Sequence, residues 1–228
     1  PCFDGRDPRV RYIRTASNRG VSGARNRGAA AAAAPLIAFL DSDDRWHDEK
    51  LLRHLSWIDN NPRYRISQTG EIWIRGGTRV NPPAAYRKFA GDLFAESLER
   101  CMVTPSSVIM DTALFAETGG FNEELPACED YDLWLRITCR RPVGLVDDLL
   151  LTRYSGHPGQ LSASVPALDR YRVRSIMDLL ASGTLSEEQS VLARRVLVKK
   201  ATIVAGGCRK RGRIEEYERY REIAARYA

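Results

Sequence analysis

Short apolar runs alternate with longer segments that carry apolar residues at helical spacing along this chain of 228 residues. Short runs rich in β-branched and aromatic side chains predict strands, whereas apolar residues recurring every three or four positions predict helices. The predicted strands are 10–13, 36–40, 71–75, 78–80, 107–110, 143–146 and 149–154. The predicted helices are 24–34, 48–60, 86–100, a short one from 111 that closes at Gly119-Gly120, and 129–140. From 165 onward the pattern is helical, with breaks near Gly183 and Gly206-Gly207.

The segment 10–40 has the order strand, helix, strand, and the helix is rich in alanine. Alanine is the strongest helix former, and Pro35 ends the helix because proline cannot continue it. A unit of this length favours two parallel strands joined by a right-handed crossover. We therefore expect an α/β fold with a mostly parallel sheet flanked by helices over 1–165. A C-terminal helical segment over 166–228 follows it.

Three carboxylates follow the apolar strand 36–40, in the sequence Leu40-Asp41-Ser42-Asp43-Asp44. Acids at the carboxyl end of a strand lie where open α/β sheets bind their ligands. Carboxylates spaced Asp-x-Asp can share one divalent cation, and Mg²⁺ is usually completed by substrate phosphates. The same acids could instead form a turn and the N-cap of the following helix. Spacing alone leaves both interpretations open.

The composition is that of a globular domain, with 43% hydrophobic residues and no run near the roughly 18 apolar residues that a membrane span needs. The first residues also lack the apolar core of a secretory leader. The five cysteines are Cys2, Cys101, Cys128, Cys139 and Cys208. They are odd in number, scattered, and form no Cys-x-x-Cys pair, which argues against a disulfide framework or a zinc site. A reducing cytoplasm fits this pattern.

The net charge of +6 arises in the tail, because 169–228 carries 14 Lys and Arg against 8 Asp and Glu. Such a surface could attract anionic lipid or nucleic acid, or it could be an ordinary solvated helical face. Nucleic-acid binding predicts basic residues interleaved with aromatics across the sheet. The predicted strands do not have that pattern, so we expect no nucleic-acid partner.

Four segments occur in an order that resembles family 2 glycosyltransferases with the GT-A nucleotide-sugar-binding fold. They are Asn18-x-Gly-x-x-x-Ala24-Arg25-Asn26, the acidic stretch 39–46, the segment Glu129-Asp130-Tyr131-Asp132-Leu133-Trp134, and Tyr-Ser-Gly-His157. The match covers roughly residues 8–165. It implies a GT-A-like fold and the transfer of a sugar from a nucleotide-sugar donor to an acceptor hydroxyl.

The resemblance assigns the donor half of the site to the first two segments. It implies that Asp41 lies near the ribose and that Asp43 holds a divalent metal, Mg or Mn, with Asp41 and His157 as further ligands. Arg25 and Asn26 then contact the donor phosphates, although Arg25 could instead tie its loop to an acid. Asp44 is expected to cap the next helix.

The resemblance assigns catalysis to the Glu129-Asp130 pair at the start of a predicted helix. Asp130 would take the proton from the acceptor hydroxyl in an inverting reaction, and Glu129 would orient the loop or the acceptor. Asp132 is a rival base, but two residues turn it about 200° around the helix. Among the other candidates, we expect His47 and His54 at the surface and Trp46 and Trp134 in core packing.

One departure from the family concerns the strand, helix and second strand with which it normally opens, since the chain begins beyond them. We therefore expect an N-terminally incomplete domain. The leading hypothesis is an enzyme of polysaccharide or glycoconjugate synthesis, cytoplasmic and peripheral to the membrane, with a glycan, lipid-linked or other hydroxyl acceptor. The alternative is a nucleotide-sugar-binding module or fragment without catalysis.

Overall fold

The computed structural model describes residues 7–156 and 165–228. Its strands are β1 (Leu36–Ala38), β2 (Arg45–Trp46), β3 (Ile66–Arg75), β4 (Thr78–Val80), β5 (Val108–Asp111) and β6 (Gly144–Ser155). Its helices are α1 (Gly20–Ala30), α2 (Lys50–Asn60), α3 (Phe94–Glu99), α4 (Thr112–Glu117), α5 (Glu129–Thr138), α6 (Asp169–Ala181), α7 (Glu187–Lys210) and α8 (Ile214–Tyr227). Two 3₁₀ turns cover 84–86 and 105–107.

The strands form one sheet in the order β1-β5-β3-β6-β2, with β4 paired to β3. Within the described residues only β3 and β6 run parallel, and the other pairings of these strands are antiparallel. The expected α/β architecture is present, but the sheet is mixed and not mostly parallel. The predicted parallel unit required a strand at 10–13, and those residues join no ladder; Tyr12 is 72% exposed.

The two strands predicted after α5 are one strand, β6, with an irregularity at its middle. Its register against β3 shifts on both sides of Gly70, so Thr69 pairs with Val146 and Gly70 with Leu149. A β-carbon on Gly70 would lie 2.9 Å from the backbone oxygen of Asp148. Glycine therefore allows the two backbones to approach at this bulge.

The helix predicted over 86–100 is much shorter, because the backbone before α3 turns. Gly91 has φ +116° and exchanges two hydrogen bonds with Val143. The Asp92 carboxylate accepts a bond of 2.9 Å from the Phe94 amide, a local interaction that competes with helix. The break predicted at Gly206-Gly207 is also wrong, since α7 continues to Lys210 and Gly212 (φ +69°) follows it. The break near Gly183 is present.

Helix α5 lies between two apolar clusters and contributes to both. Leu133, Trp134 and Ile137 pack with the sheet residues, whereas Tyr131 and Leu135 pack with α3 and the C-terminal helices α6, α7 and α8. All five side chains are at most 1% exposed. This burial on two sides fixes the position of the amino end of α5, where Glu129 and Asp130 lie.

Helix α2 buries polar residues and exposes apolar ones, contrary to the expectation from its leucine spacing. Lys50 and His54 are fully buried, while Leu52 is 73% exposed. His54 was expected at the surface; instead its ring contacts Ser67 Oγ at 2.8 Å and Lys50 Nζ at 3.1 Å. The surface prediction is therefore wrong for His54. His47 is half-buried and contacts Thr152 Oγ1 at 2.9 Å.

Candidate active site

The acidic loop after β1 is held by one buried serine of the 105–107 turn. Ser106, with no exposed surface, accepts a hydrogen bond from the Asp41 amide on its hydroxyl (3.0 Å) and one from Trp46 Nε1 on its carbonyl (2.7 Å). The Asp44 amide donates to the Asp41 carbonyl, which closes a turn. The loop therefore has a fixed backbone from which the carboxylates project.

The three carboxylates of this loop differ in their surroundings. Asp43 is exposed, Asp41 is half-buried, and Asp44 is half-buried and accepts a bond of 3.3 Å from the Tyr154 amide. Burial raises the pKa of Asp44, while bonding from the Ser106 hydroxyl opposes that shift. Asp44 does not cap α2, because that helix begins at Lys50. It instead joins the loop to the end of β6.

Arg25 brings together three of the residues singled out from the sequence. Its guanidinium donates to Asp41 Oδ1 at 2.5 Å and to Glu129 Oε1 at 2.9 Å, and it lies 5.0 Å from the ring centre of Phe121. Burial alone lowers the pKa of Arg25. The negative charges of Asp41 and, to a lesser extent, Glu129 outweigh this effect, so the pKa of Arg25 is raised. The acidic loop and the amino end of α5 are thus joined through one cation, whose side chain is 11% exposed.

Asn26 uses its side chain to hold the loop that precedes α5. Its amide nitrogen donates to the Phe121 carbonyl (2.8 Å) and to Glu123 Oε1 (3.0 Å), and its oxygen accepts from the Phe121 amide (2.9 Å). The structure therefore places Asn26 beside the site, bonded to the 121–123 segment.

The two acids at the start of α5 have different environments. Glu129 is 6% exposed, and burial, followed by the charge of Asp130, raises its pKa despite the opposing Arg25. Asp130 is half-buried; it accepts a bond from the Tyr131 amide at 2.7 Å and one from Cys101 Sγ at 3.3 Å. Asp132, the rival base, is 5% exposed and paired with Arg136 at 2.6 Å. Asp130 is the more open of the three.

Cys128, immediately before α5, has a left-handed backbone (φ +63°). Burial raises the pKa of its thiol to about 12. A thiol with that pKa is protonated near neutral pH and is a poor nucleophile.

A second group of residues faces the same region and was not singled out from the sequence. Glu71 and Lys88 form a buried ion pair of 2.9 Å, and Arg153 lies 3.7 Å from Glu71. Lys88 also donates to Ser107 Oγ at 3.1 Å, next to the serine that holds the acidic loop. The alternating strand pattern predicted Glu71 and Arg153 only as strand residues, and their proximity depends on the parallel pairing of β3 with β6.

Divalent cations of the magnesium type bind through oxygen ligands, often one or two carboxylates completed by substrate phosphates. Within 7–156 and 165–228 no group of three or more His, Cys, Asp or Glu side chains is placed to hold a metal. Asp41 and Asp43 supply two carboxylates, and only one Asp41 oxygen is bonded to Arg25. This donor set fits an ion completed by a diphosphate. His157, the third expected ligand, lies outside the described residues.

Comparison with known proteins shows the family of the chain. Residues 2–113 match the model described as Glycosyl transferase family 2. The chain carries a family 2 glycosyltransferase domain over these residues. The resemblance carried by its four motifs is therefore confirmed at the family level.

Curated family members in bacteria align with most of the chain. An uncharacterised glycosyltransferase of Rickettsia felis is 30% identical over 152 residues, which are 66% of this chain and 25% of that protein. A β-1,3-glucosyltransferase of Escherichia coli, WfaP, is 29% identical over 164 residues, or 70% of this chain and 61% of that protein. WfaP is a UDP-Glc:α-D-GlcNAc-diphosphoundecaprenol β-1,3-glucosyltransferase. The chain thus spans about a quarter of the length of the first curated relatives it matches.

Solved structures share the fold at low sequence identity. TarS 1-349 of S. aureus in complex with UDP superimposes with a TM-score of 0.59 at 19% identity, over 79% of this chain and 51% of the TarS chain in that structure. A complex of TarS 1-349 with UDP-GlcNAc gives a TM-score of 0.57 at 16% identity, over 91% of this chain and 72% of the TarS chain in that structure. These likenesses confirm the GT-A-like α/β fold. In the part of the chain that the structure describes, no helix is both long and apolar enough to cross a membrane.

Proposed function

We propose that this family 2 domain carries the donor and catalytic groups of an inverting glycosyltransferase. The observation that carries the proposal is the Arg25 bridge, since one guanidinium binds both Asp41 of the acidic loop and Glu129 beside the proposed base. Carboxylates that are remote in sequence are thereby held at one place. A site with separate donor and base groups is what direct displacement at a sugar carbon requires.

In the proposed reaction Asp130 accepts the proton of the acceptor hydroxyl as its oxygen attacks the anomeric carbon. The bond from that carbon to the donor diphosphate breaks at the same time, and the nucleoside diphosphate leaves from the opposite face. Asp130 suits this role because its carboxylate lies at the amino end of α5 and is half-buried, whereas the neighbouring Glu129 and Asp132 are buried. Glu129, bonded to Arg25, positions the pair and does not take the proton.

The donor half of the site lies at the acidic loop. Asp43 would hold Mg or Mn together with Asp41, and such a cation supplies positive charge against the departing diphosphate. Asp41 also faces the ribose. Arg25 is committed to two carboxylates, so we assign it and Asn26 the task of fixing the loops around the donor.

The relatives support a proposal for the acceptor and the cellular setting. WfaP acts on a sugar linked through diphosphate to a lipid, and we propose a hydroxyl acceptor of that kind for this chain, in polysaccharide or glycoconjugate synthesis. The exposed Arg194, Arg195, Arg209 and Lys210 of α7 would attract anionic lipid at the cytoplasmic face of the membrane.

Asp43 gives the most direct test of the donor site. We expect Mn²⁺ to strengthen UDP binding, measured by calorimetry, by about tenfold or more, because a cation held by Asp43 would supply positive charge to the diphosphate. The gain is expected to vanish in Asp43→Ala and to persist in Asp59→Ala, which removes an exposed acid of α2. If Mn²⁺ strengthens UDP binding equally in Asp43→Ala and in the unaltered chain, the metal assignment is wrong.

A further inference from the structure

The first residue of α2, Lys50, is a fully buried lysine close to the end of the acidic loop. Its ammonium donates to the Ser107 carbonyl at 3.0 Å, lies 3.1 Å from His54 Nδ1, and lies 5.4 Å from the ring centre of Trp46. Its partners in the described part of the chain are thus a carbonyl, an imidazole and an indole. Burying an ammonium without a carboxylate partner costs free energy, so a lysine at this position is expected to serve a function.

The surroundings of Lys50 use all three hydrogens of an ammonium. Burial lowers the pKa of His54 to about 3, so its ring is neutral and Nδ1 accepts from Lys50. The other ring nitrogen then carries the proton and donates to Ser67 Oγ at 2.8 Å. The remaining two hydrogens are directed to the Ser107 carbonyl and to the indole face of Trp46. A neutral amine has only two N–H donors, so deprotonation gives up one of these contacts.

Two of these contacts lead to the acidic loop. Ser107 lies in the same 3₁₀ turn as Ser106, whose hydroxyl accepts from the Asp41 amide at 3.0 Å. The Ser106 carbonyl accepts from Trp46 Nε1 at 2.7 Å, and Trp46 ends β2, the strand that follows the loop. Lys50 thus joins this turn to β2, and both of them support the loop.

A second buried lysine, Lys88, bonds the same turn but has a carboxylate partner. Its ammonium donates to Ser107 Oγ at 3.1 Å and pairs with Glu71 at 2.9 Å. The side chains of Lys88 and Glu71 are 9% and 7% exposed, so this pair is shielded from solvent. Of the two lysines that bond the turn, Lys50 is therefore the one whose charge is not balanced by an acid within the described ranges.

We propose that Lys50 is a positioning residue of the donor site, whose ammonium holds the 105–107 turn and Trp46 so that the acidic loop presents Asp41 and Asp43 to the donor diphosphate. This inference rests on the proposed function, because both carboxylates belong to its donor half. It adds a residue that lies outside the four motifs. It also makes donor binding depend on the protonation of one buried lysine.

The test compares the affinity for UDP-glucose with Mn²⁺, measured by calorimetry, of the unaltered chain and of Lys50→Met at pH 6 and pH 8. Burial, followed by the charge of Lys88, lowers the pKa of Lys50 to about 7, so the ammonium predominates at pH 6 and the amine at pH 8. UDP-glucose has no terminal phosphate that titrates in this range. Other groups that titrate act on both chains, so the ratio of the two affinities reports Lys50.

At pH 6 we expect Lys50→Met to bind UDP-glucose about tenfold more weakly than the unaltered chain, as loss of a charge-assisted hydrogen bond does. At pH 8 the difference is expected to shrink to about two- to threefold, because a neutral donor bonds less strongly. Lys50→Gln, which keeps N–H donors without the charge, is expected to lie between the two at pH 6. It carries the same comparison if Lys50→Met does not fold.

Lys199→Met is the matched control, because it removes an exposed lysine of α7 that is bonded to Glu99. It is expected to bind UDP-glucose like the unaltered chain at both pH values. Lys50→Met is expected to have a thermal midpoint at pH 6 no lower than that of the unaltered chain, since it removes a buried charge. A loss of affinity in a chain of that stability is a loss of loop position and not of fold.

Three results overturn the inference. The first is equal affinity of Lys50→Met and the unaltered chain at pH 6. The second is a loss of the same factor at pH 6 and pH 8, since Lys50 then acts through its bulk and not through its charge. The third is a loss of the same size in Lys199→Met. An unaltered chain that binds no UDP-glucose overturns the proposed function itself, whereas binding that does not depend on Lys50 overturns only this inference.

Discussion

At the scale of single residues, Lys50 is the most unusual charged side chain that the structure describes. It has no exposed surface, and its ammonium donates to the Ser107 carbonyl at 3.0 Å. Burial, followed by the charge of Lys88, lowers its pKa to about 7. Burial likewise lowers the pKa of His54 to about 3, so the imidazole is neutral and accepts from Lys50.

This shift predicts a pH dependence of stability. Between about pH 7 and pH 10 Lys50 is protonated in the unfolded chain but largely unprotonated in the folded chain. Because the unfolded state binds more protons there, the contribution of Lys50 to the free energy of unfolding rises with pH. From pH 7 to pH 9 we expect a rise of about 2 kcal/mol that Lys50→Met removes. Urea unfolding at both values checks this, with the exposed Lys210→Met as control. An identical pH dependence in Lys50→Met and the unaltered chain contradicts it.

Single residues also show which features of the site could not be predicted from the sequence. Asp41, Arg25 and Glu129 were each identified from motifs, yet the contact between Arg25 and Glu129 joins residues 104 positions apart. For Arg25 the alternative prediction was that it ties its loop to an acid. The observed ion pairs with Asp41 and Glu129 agree with that alternative. The burial of His54 was missed, because its helix has leucines at the spacing that usually indicates the buried face. Ser106 carries no motif, and only the tertiary structure reveals what it holds.

At the scale of elements, α2 packs against β6 at a position where no side chain fits. A β-carbon on Gly144 would lie 2.3 Å from Trp57 Cη2 and 3.0 Å from Ser67 Cβ. Gly206, in the interior of α7, is different because a β-carbon there meets nothing within 4 Å. Substitution by alanine is therefore expected to have opposite effects on stability at these two glycines.

Gly144→Ala is expected to lower the free energy of unfolding by about 1–3 kcal/mol through overpacking. Gly206→Ala is expected to raise it by about 0.5–1 kcal/mol, since alanine loses less backbone entropy in a helix. Chemical denaturation of both variants measures the two effects. A stabilising Gly144→Ala would show that α2 and β6 are not packed this closely.

Elements were predicted best where one pattern was long and uninterrupted. The helix predicted over 129–140 agrees with the observed α5, Glu129–Thr138, because charged and apolar residues keep helical spacing throughout the segment. The sheet order was not predictable, since β1 and β5 are neighbours despite 69 intervening residues. Short strands such as β1 carry too few residues for the sequence to specify a direction.

At the scale of the whole molecule, the C-terminal helices share a core with the part of the chain that holds the site. Leu197 of α7 is fully buried in the cluster that contains Tyr131 and Leu135 of α5. A boundary near 165 stays a prediction, because a shared core alone does not decide whether either part folds alone. Cooperativity of unfolding decides it.

Leu197→Ala tests that coupling. The cavity is expected to cost about 2–5 kcal/mol, and one transition is expected to shift for all probes, because α5 links the two clusters. Far-ultraviolet dichroism and tryptophan fluorescence followed in the same denaturation provide the measurement. The exposed Leu52→Ala is the control. Two separate transitions, with only one shifted, would instead show that 166–228 unfolds independently.

Sugar transfer by Asp130→Asn is the measurement that tests the proposed mechanism most directly. The assay follows transfer from UDP-glucose to the alkyl GlcNAc diphosphate with Mn²⁺, and Asp59→Asn is the matched control. We predict that Asp130→Asn lowers the transfer rate by about 100-fold or more, as loss of a general base does, with UDP affinity unchanged within about twofold. Asp59→Asn is predicted to transfer at the rate of the unaltered chain. Transfer by Asp130→Asn at that same rate would contradict the role of Asp130 as the base.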